Sequence, residues 1–465
     1  MRPLAGRALR DFGLWACLAA VLLRLVHAWG IPMPSNDGAQ YLWMSESFAH
    51  GDFSAGLNSV FHPGSSLVHA LFMQLGLDSF AAARIDGALL GGIWVLLLHR
   101  ICLRLADPLS SALVTLLAIV SWEQVRLVAE VYSEPLYVVW IAAALLLLLR
   151  GRLRLAALFL GSAFWIRPEA LTLLPLLMWP GWPRSRRVQA LAMALVAGLS
   201  LVLLRSLLLG DSSMTPKLAL MAPLGPLGAS DPWTFVSGFA INVLHLFLTG
   251  VTALDGVGFG LGILGLALMR TTETPRSRLL GMSLLLGWLA MCLFQVKTRF
   301  FLSQAPLLLP LAAFGLHRMR QLSARDRGAR VTLSLCTVVI VATSLFSLVR
   351  VGRDVLSPPL RDRESEIVLG HWLSQELVAG DRIMTDLPRV AWAAGRQPPP
   401  PTIWTAQRIL DAIGDQPPRY LILGRKRSAY AELRDRLSAD YEELELPGSV
   451  RAATGADRLS LFRRR

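Results

Sequence analysis

Charge is what this 465-residue sequence has too little of: 17% of its residues are charged and 54% are hydrophobic, whereas a water-soluble domain carries about a quarter charged. Mean hydropathy is +0.50, so a single soluble core is excluded. Cysteine is also scarce. Cys17, Cys102, Cys292 and Cys336 all fall inside apolar runs, with no CxxC or Cys/His spacing, and neither a disulfide framework nor a zinc site is expected. The sequence has no glycine-rich phosphate loop, no Gly-x-Ser-x-Gly elbow and no HExxH motif. Chemistry driven by cytosolic ATP and a Rossmann-type nucleotide-sugar site are therefore unsupported. No repeat of fixed period is evident.

What is present is a succession of leucine- and alanine-rich runs of about 17 to 22 residues, the length that crosses roughly 30 Å of hydrocarbon as helix. They occupy residues 12–29, 80–98, 109–122, 135–149, 155–179, 188–209, 251–269, 279–296, 300–316 and 331–349. Arg2, Arg7 and Arg10 precede the first run, which reads as a retained signal anchor with a cytoplasmic N-terminus. The run 155–179 has basic clusters at both ends and Arg167-Pro168-Glu169 in its middle. It is expected to be a hairpin of two short helices turning near the outer face. About eleven membrane helices result, and the C-terminus lies outside. Residues 235–248 are open between another span and an interfacial helix; a span there inverts everything downstream unless another segment changes too.

The net charge of +14 comes from 46 basic and 32 acidic side chains. About 18 of the basic and 16 of the acidic groups follow residue 351. Most of the excess thus lies in short loops between apolar runs, where it reports orientation rather than nucleic-acid binding. The composition divides the chain into a membrane part, residues 1–350, and an extracytoplasmic part, residues 351–465. The latter has a helical pattern at 366–377, a β-like run at 420–423 and a proline run at 398–401, as in a small α/β domain.

Candidate chemistry gathers in the outer loops. Asp37, just past the first run, is placed to deprotonate a hydroxyl at the membrane surface, or else to cap the helix that follows. Glu130, Tyr132 and Glu134 stand in the second outer loop; Glu134-Pro135 also reads as a helix start, and Glu130 as a partner for an acceptor or an arginine. Arg84, Arg126, Arg167, Lys297 and Arg299 lie outside against the positive-inside trend. A buried phosphate is one reason for them, and internal pairs such as Arg84 with Asp86 or Arg167 with Glu169 are another. Arg24, within the first run, reads as a packing or snorkelling residue. His62 precedes a further apolar helix and either touches substrate or is solvated. Trp29, Trp43, Trp122 and Trp179 mark membrane boundaries.

These motifs, taken in order, resemble the GT-C class of integral membrane glycosyltransferases, in particular the clan of protein O-mannosyltransferases and lipid A aminoarabinose transferases. The resemblance rests on Asn36-Asp37-Gly38-Ala39-Gln40-Tyr41, His62-Pro63-Gly64, Ala83-Arg84, Val131-Tyr132-Ser133-Glu134-Pro135-Leu136, Trp165-Ile166-Arg167-Pro168-Glu169 and Arg299-Phe300-Phe301-Leu302. It implies an α-helical polytopic fold and inverting transfer of a sugar from a polyprenyl-phosphate donor to an acceptor hydroxyl of a glycan, lipid or protein. Asp37 is then the general base, with Glu130 or Glu134 as acidic support from the second loop. Arg84, Arg167, Lys297 and Arg299 bind the donor phosphate, and His62, Tyr132 and Glu134 contact substrate. The family often has an acidic pair at the first-loop position, where this chain has Asp37-Gly38; no metal is expected. The composition looks bacterial, placing the chain in the inner (plasma) membrane. The competing reading is a transporter or flippase of a lipid-linked or sugar substrate, since broken helices also build transport sites.

Overall fold

The computed structural model describes residues 2–57, 60–210, 225–272, 274–294, 296–324, 326–359, 361–378, 381–399, 406–413, 417–425 and 429–465. Helix α1 (Arg2–Gly30) packs along α5 (Ser79–Leu105). Between them in the chain lie α2 (Asn36–Ala49), α3 (Phe53–Leu57) and α4 (Gly64–Met73), which form the first loop. The α1–α5 contact is close because α5 carries glycine there: a Cβ on Gly92 would stand 2.4 Å from Val21 and 3.0 Å from the Cys17 carbonyl. Small residues let helix backbones approach where no solvent drives them together. Asp78 caps α5 by accepting from the Phe80 and Ala81 N–H groups, and Asp107 does the same for α6 (Pro108–Val120), which has proline in its first turn.

Helix α6 is bent by 41° against α7 (Trp122–Ala129). The bend leaves carbonyls at the end of α6 without helical partners, and Arg24, fully buried on α1, donates to those of Ala118 (3.1 Å) and Ile119 (3.2 Å). Arg24 is therefore a packing residue. Next come α8 (Glu134–Leu149), α9 (Leu153–Ser162), a 3₁₀ segment Pro168–Met178 and α10 (Arg184–Leu209). Gly161 of α9 abuts Ala194 of α10, while Trp165 donates to the Ala197 carbonyl (3.0 Å) further along both. The two helices run parallel, so the 3₁₀ segment between them must return. Residues 155–179 thus form the expected hairpin with its turn at Arg167.

After α10 come α11 (Pro232–Ala253), α12 (Val257–Thr272), α13 (Thr274–Leu293), α14 (Thr298–Leu302), α15 (Ala305–Ser323) and α16 (Arg327–Leu356). Contacts between helix ends sort the loops into two faces. On one face Asp107 bonds His317 (3.0 Å) and Arg320, Arg104 reaches the Leu149 carbonyl (3.4 Å) and Arg276 lies 5.8 Å from the Trp179 ring. On the other, Arg299 meets Asp37, Arg167 meets Glu134, and Gly30 abuts Val355. Connecting the described segments between these faces takes eleven passes, in agreement with the hydropathy reading.

Among the described residues five helices are individually long and apolar enough to cross a membrane, six if α6 and α7 count as one; the remaining passes use shorter apolar helices. Helix α11 is one of the five, yet both its flanks lie in the half holding Asp37. Gly225 before it abuts the Phe294 carbonyl, and Asp255 after it accepts from Ser347 (3.2 Å). Residues 235–248 therefore form part of a helix lying along that half, and the downstream alternation is preserved.

Helix α16 continues past the composition change at residue 350 to Leu356. Beyond it lie α17 (Glu364–Glu376), α18 (Pro388–Ala393), α19 (Ala406–Ile413), α20 (Ala429–Leu437) and α21 (Gly448–Ala452). A four-stranded sheet comprises β1 (Ile383–Thr385), β2 (Tyr420–Gly424), β3 (Tyr441–Leu444) and β4 (Leu459–Arg464), ordered β1-β2-β4-β3, with β1 and β2 parallel and the other pairs antiparallel. Central strand β2 is buried on both faces. Tyr420 and Ile422 join a cluster with Leu369 and Leu373 of α17, while Leu421 and Leu423 pack with Leu433 and Leu437 of α20, as a period of two requires. Of the proline run 398–401, residues 400 and 401 lie outside the described residues.

Candidate active site

Asp37 sits in the first turn of α2, whose N-cap is Ser35: the Ser35 hydroxyl accepts from the Gly38 N–H (2.9 Å). Capping therefore belongs to Ser35, and the Asp37 carboxylate is left to pair with Arg299 at the start of α14. The first loop is strapped to the second by the Ser35 N–H, which donates to the Glu130 carbonyl (3.1 Å). This approach needs glycine at position 38, where a Cβ would lie 2.5 Å from that carbonyl. A second acid following Asp37 has no room there.

The second loop turns at Val131, whose φ of 59° is in the left-handed region, an uncommon place for a β-branched residue. The Val131 and Tyr132 N–H groups donate back to the carbonyls of Val128 (3.2 Å) and Leu127 (3.1 Å), closing α7 with a Schellman cap that usually carries glycine. Such strain is held by its surroundings. Here it presents Tyr132 and Ser133 to the site: the Arg299 guanidinium lies 5.0 Å from the Tyr132 ring and the same distance from that of Phe300, a cation–π arrangement.

From the hairpin turn, buried Arg167 pairs with Glu134 at the start of α8 and with Glu169 (2.6 Å). Its guanidinium also donates to the Ser133 hydroxyl (3.4 Å), which accepts from Tyr41 (3.1 Å). Tyr41 is one helical turn from Asp37 and hence on the same side of α2. His62 bonds the Phe164 carbonyl (2.5 Å) through Nδ1, and Gly64 leaves space for the Trp165 carbonyl, bringing the His62-Pro63-Gly64 motif against the hairpin. Tyr41, His62, Ser133, Arg167, Glu169 and Phe300, with the end of α13, line a mainly apolar cavity of about 210 Å³.

The remaining candidates stand further back. Glu130 binds Arg126 (3.0 Å), which also holds Glu123 (2.8 Å), and it meets the Asp37 loop through its backbone carbonyl, which accepts from the Ser35 N–H. Arg84 bonds the Ile31 carbonyl and lies 3.6 Å from the Phe80 ring, while Asp86 pairs instead with His69 (2.5 Å). Lys297 is exposed beside Arg299. Partial desolvation and the like charge of Arg299 push its ammonium below the ordinary lysine value, with Asp37 opposing. Tyr41 and Ser133 were not singled out from the sequence as site residues; the four-residue step from Asp37 is the signal for Tyr41. Among the described residues no three or more His, Cys, Asp or Glu side chains gather into a metal-binding group.

No family model matches the sequence, and no curated protein matches it. Solved structures do match. The chain is similar to ArnT from Cupriavidus metallidurans, solved with undecaprenyl phosphate bound, with a TM-score of 0.67 at 12% identity over 96% of this chain and 97% of that one. The fold is that of the GT-C glycosyltransferases. The archaeal oligosaccharyltransferase AglB from Archaeoglobus fulgidus, in complex with an inhibitory peptide and a dolichol-phosphate, follows with a TM-score of 0.58 at 11% identity, over 90% of this chain and 69% of that one. The mycobacterial arabinofuranosyltransferase AftD has a TM-score of 0.55 at 15% identity, over 98% of this chain but 40% of its own. The GT-C fold shared with these structures spans both the membrane part and the C-terminal domain of this chain.

Proposed function

We propose that this protein is a membrane glycosyltransferase that moves a sugar from a polyprenyl-phosphate donor to an acceptor hydroxyl, with inversion. The observation that carries the reading is the pairing of Asp37 with Arg299, a carboxylate and a guanidinium from distant segments, beside an apolar cavity that also holds Arg167. In the reaction the acceptor oxygen attacks the anomeric carbon as its bond to the phosphate oxygen breaks. The hydroxyl proton passes to Asp37, and the electron pair leaves on the lipid phosphate. Arg299 and Arg167, with Lys297 nearby, offset the charge developing there. Arg299 is paired with Asp37. A donor phosphate competes for that guanidinium and so restores basicity to the carboxylate when substrate arrives. Tyr132 positions Arg299, while Glu134 and Glu169 position Arg167.

Transfer from radiolabelled polyprenyl-phosphate sugars is the test, in membranes holding matched amounts of wild type or Asp37→Asn. The expected loss is about 10²- to 10⁴-fold, with the variant still folded. Equal transfer by both removes Asp37 from catalysis. Movement of the lipid-linked substrate across the membrane, without transfer, replaces the enzyme with the transporter.

A further inference from the structure

The face opposite Asp37 has a cavity of its own, of about 440 Å³, where the ends of α5, α8, α12 and α13 meet the turn between the 3₁₀ segment and α10. Its walls carry Arg104 and Arg276, the rings of Trp179 and Trp182, and apolar Leu149 and Phe314. Among the described residues lining it, none is acidic. The acid nearest Arg104 in sequence, Asp107, is already bonded to His317 and Arg320. Arg276 lies against the Trp179 ring at 5.8 Å, and Arg186, just beyond, lies 5.8 Å from that of Trp182.

We propose that this cavity binds the phosphate headgroup of an anionic lipid in the leaflet opposite the active site. Guanidinium groups match phosphate in charge and donor geometry. Tryptophan prefers the level of the headgroups, and leucine and phenylalanine walls suit the start of an acyl chain. Basic pockets between membrane helices form lipid-headgroup sites by this combination. Free phosphate shares the charge but has nothing to place against the apolar walls, so the site is assigned to lipid. It is separate from the proposed donor site, although the 3₁₀ segment Pro168–Met178 connects the two: Arg167 precedes it and Trp179 follows it. A lipid seated here braces the lower end of the hairpin that carries Arg167.

The test uses the full chain, delipidated in neutral detergent, with thermal unfolding followed against added phosphatidylglycerol, phosphatidylcholine or inorganic phosphate. Phosphatidylglycerol is expected to raise the unfolding midpoint saturably, and the other two to leave it in place. In Arg104→Gln/Arg276→Gln the apparent affinity should weaken by roughly fivefold for each arginine removed. Arg152→Gln/Arg154→Gln, altered on the same face outside the cavity lining, should behave as wild type. Equal stabilisation by phosphatidylcholine, an unchanged Arg104→Gln/Arg276→Gln response, or an equal loss in Arg152→Gln/Arg154→Gln overturns the proposal. An effect of inorganic phosphate matching that of the lipid reassigns the cavity to free phosphate. If the double variant fails to fold, Arg104→Gln alone, with bound phosphatidylglycerol counted by native mass spectrometry, decides between reduced and unchanged occupancy.

Discussion

Gly38 shows how a single missing Cβ sets the geometry around Asp37. Its contact with the Glu130 carbonyl leaves 2.5 Å for an added methyl, so Gly38→Ala must lift the start of α2 away from the second loop. Transfer is expected to fall by about a hundredfold, the scale of a 1 Å misplacement, with membrane expression retained; steady-state rates on a lipid-linked donor measure it. Lys297 makes a prediction of another kind. Its ammonium lies below the ordinary lysine value through desolvation and the nearby Arg299 charge, and it is charged only below its own pKa. Donor affinity should therefore fall as pH rises through that value, at lower pH than for an unperturbed lysine near 10.4. Lys297→Arg should remove this alkaline limb from a pH series of donor binding.

Helices of this fold pack through glycine where they run closest. On α12, Gly258, Gly262 and Gly265 face Leu308, Leu309 and Leu311 of α15, and a Cβ on Gly265 would stand 1.8 Å from the Leu311 carbonyl. Backbone occupies that space, so no rotamer relieves the clash. Gly265→Ala is expected to separate α12 from α15 and lower the yield of folded protein, read as loss of the monodisperse peak on detergent size exclusion. Gly260 has open space around its Cβ position, and Gly260→Ala should be silent in the same assay. The α7 cap makes a related point. Sequence alone does not mark Val131 as left-handed, because glycine is the usual signal there; packing around a buried valine fixes the turn instead.

At the scale of the molecule, the C-terminal domain is seated on the loop that carries Asp37. Trp392 of α18 donates to Glu46 of α2 (3.0 Å), which also accepts from Ser79 at the start of α5 (2.5 Å); Gln40 reaches the Pro399 carbonyl. The placement of α11 gives this scale its prediction. In a chain with its four cysteines replaced by serine, Ser230→Cys and Ser54→Cys, both at exposed positions, should label from the same side of sealed membranes. Ala324→Cys, exposed after α15, should label only from the other side. Labelling of Ser230→Cys and Ser54→Cys from opposite sides would make α11 a full span and break the eleven-pass order.

Hydropathy and loop charge are properties of contiguous residues, since transfer into hydrocarbon is decided stretch by stretch. For that reason the passes, the hairpin broken at Arg167, the α/β character after residue 350 and the placement of Asp37, Arg167 and Arg299 on one face could be read from the sequence alone. Which charge meets which could not. Asp37 with Arg299, Arg167 with Glu134 as well as Glu169, and Glu130 turned to Arg126 depend on how helices far apart in the chain cross. Arg24 meets the Ala118 and Ile119 carbonyls where α6 bends beside it, and α11 passes every hydropathy criterion for a span while its neighbours hold both ends in one half. Composition determined that the chain belongs in a bilayer and where it passes through. Close helix packing, allowed by glycines that carry no Cβ, decided which side chains share a site.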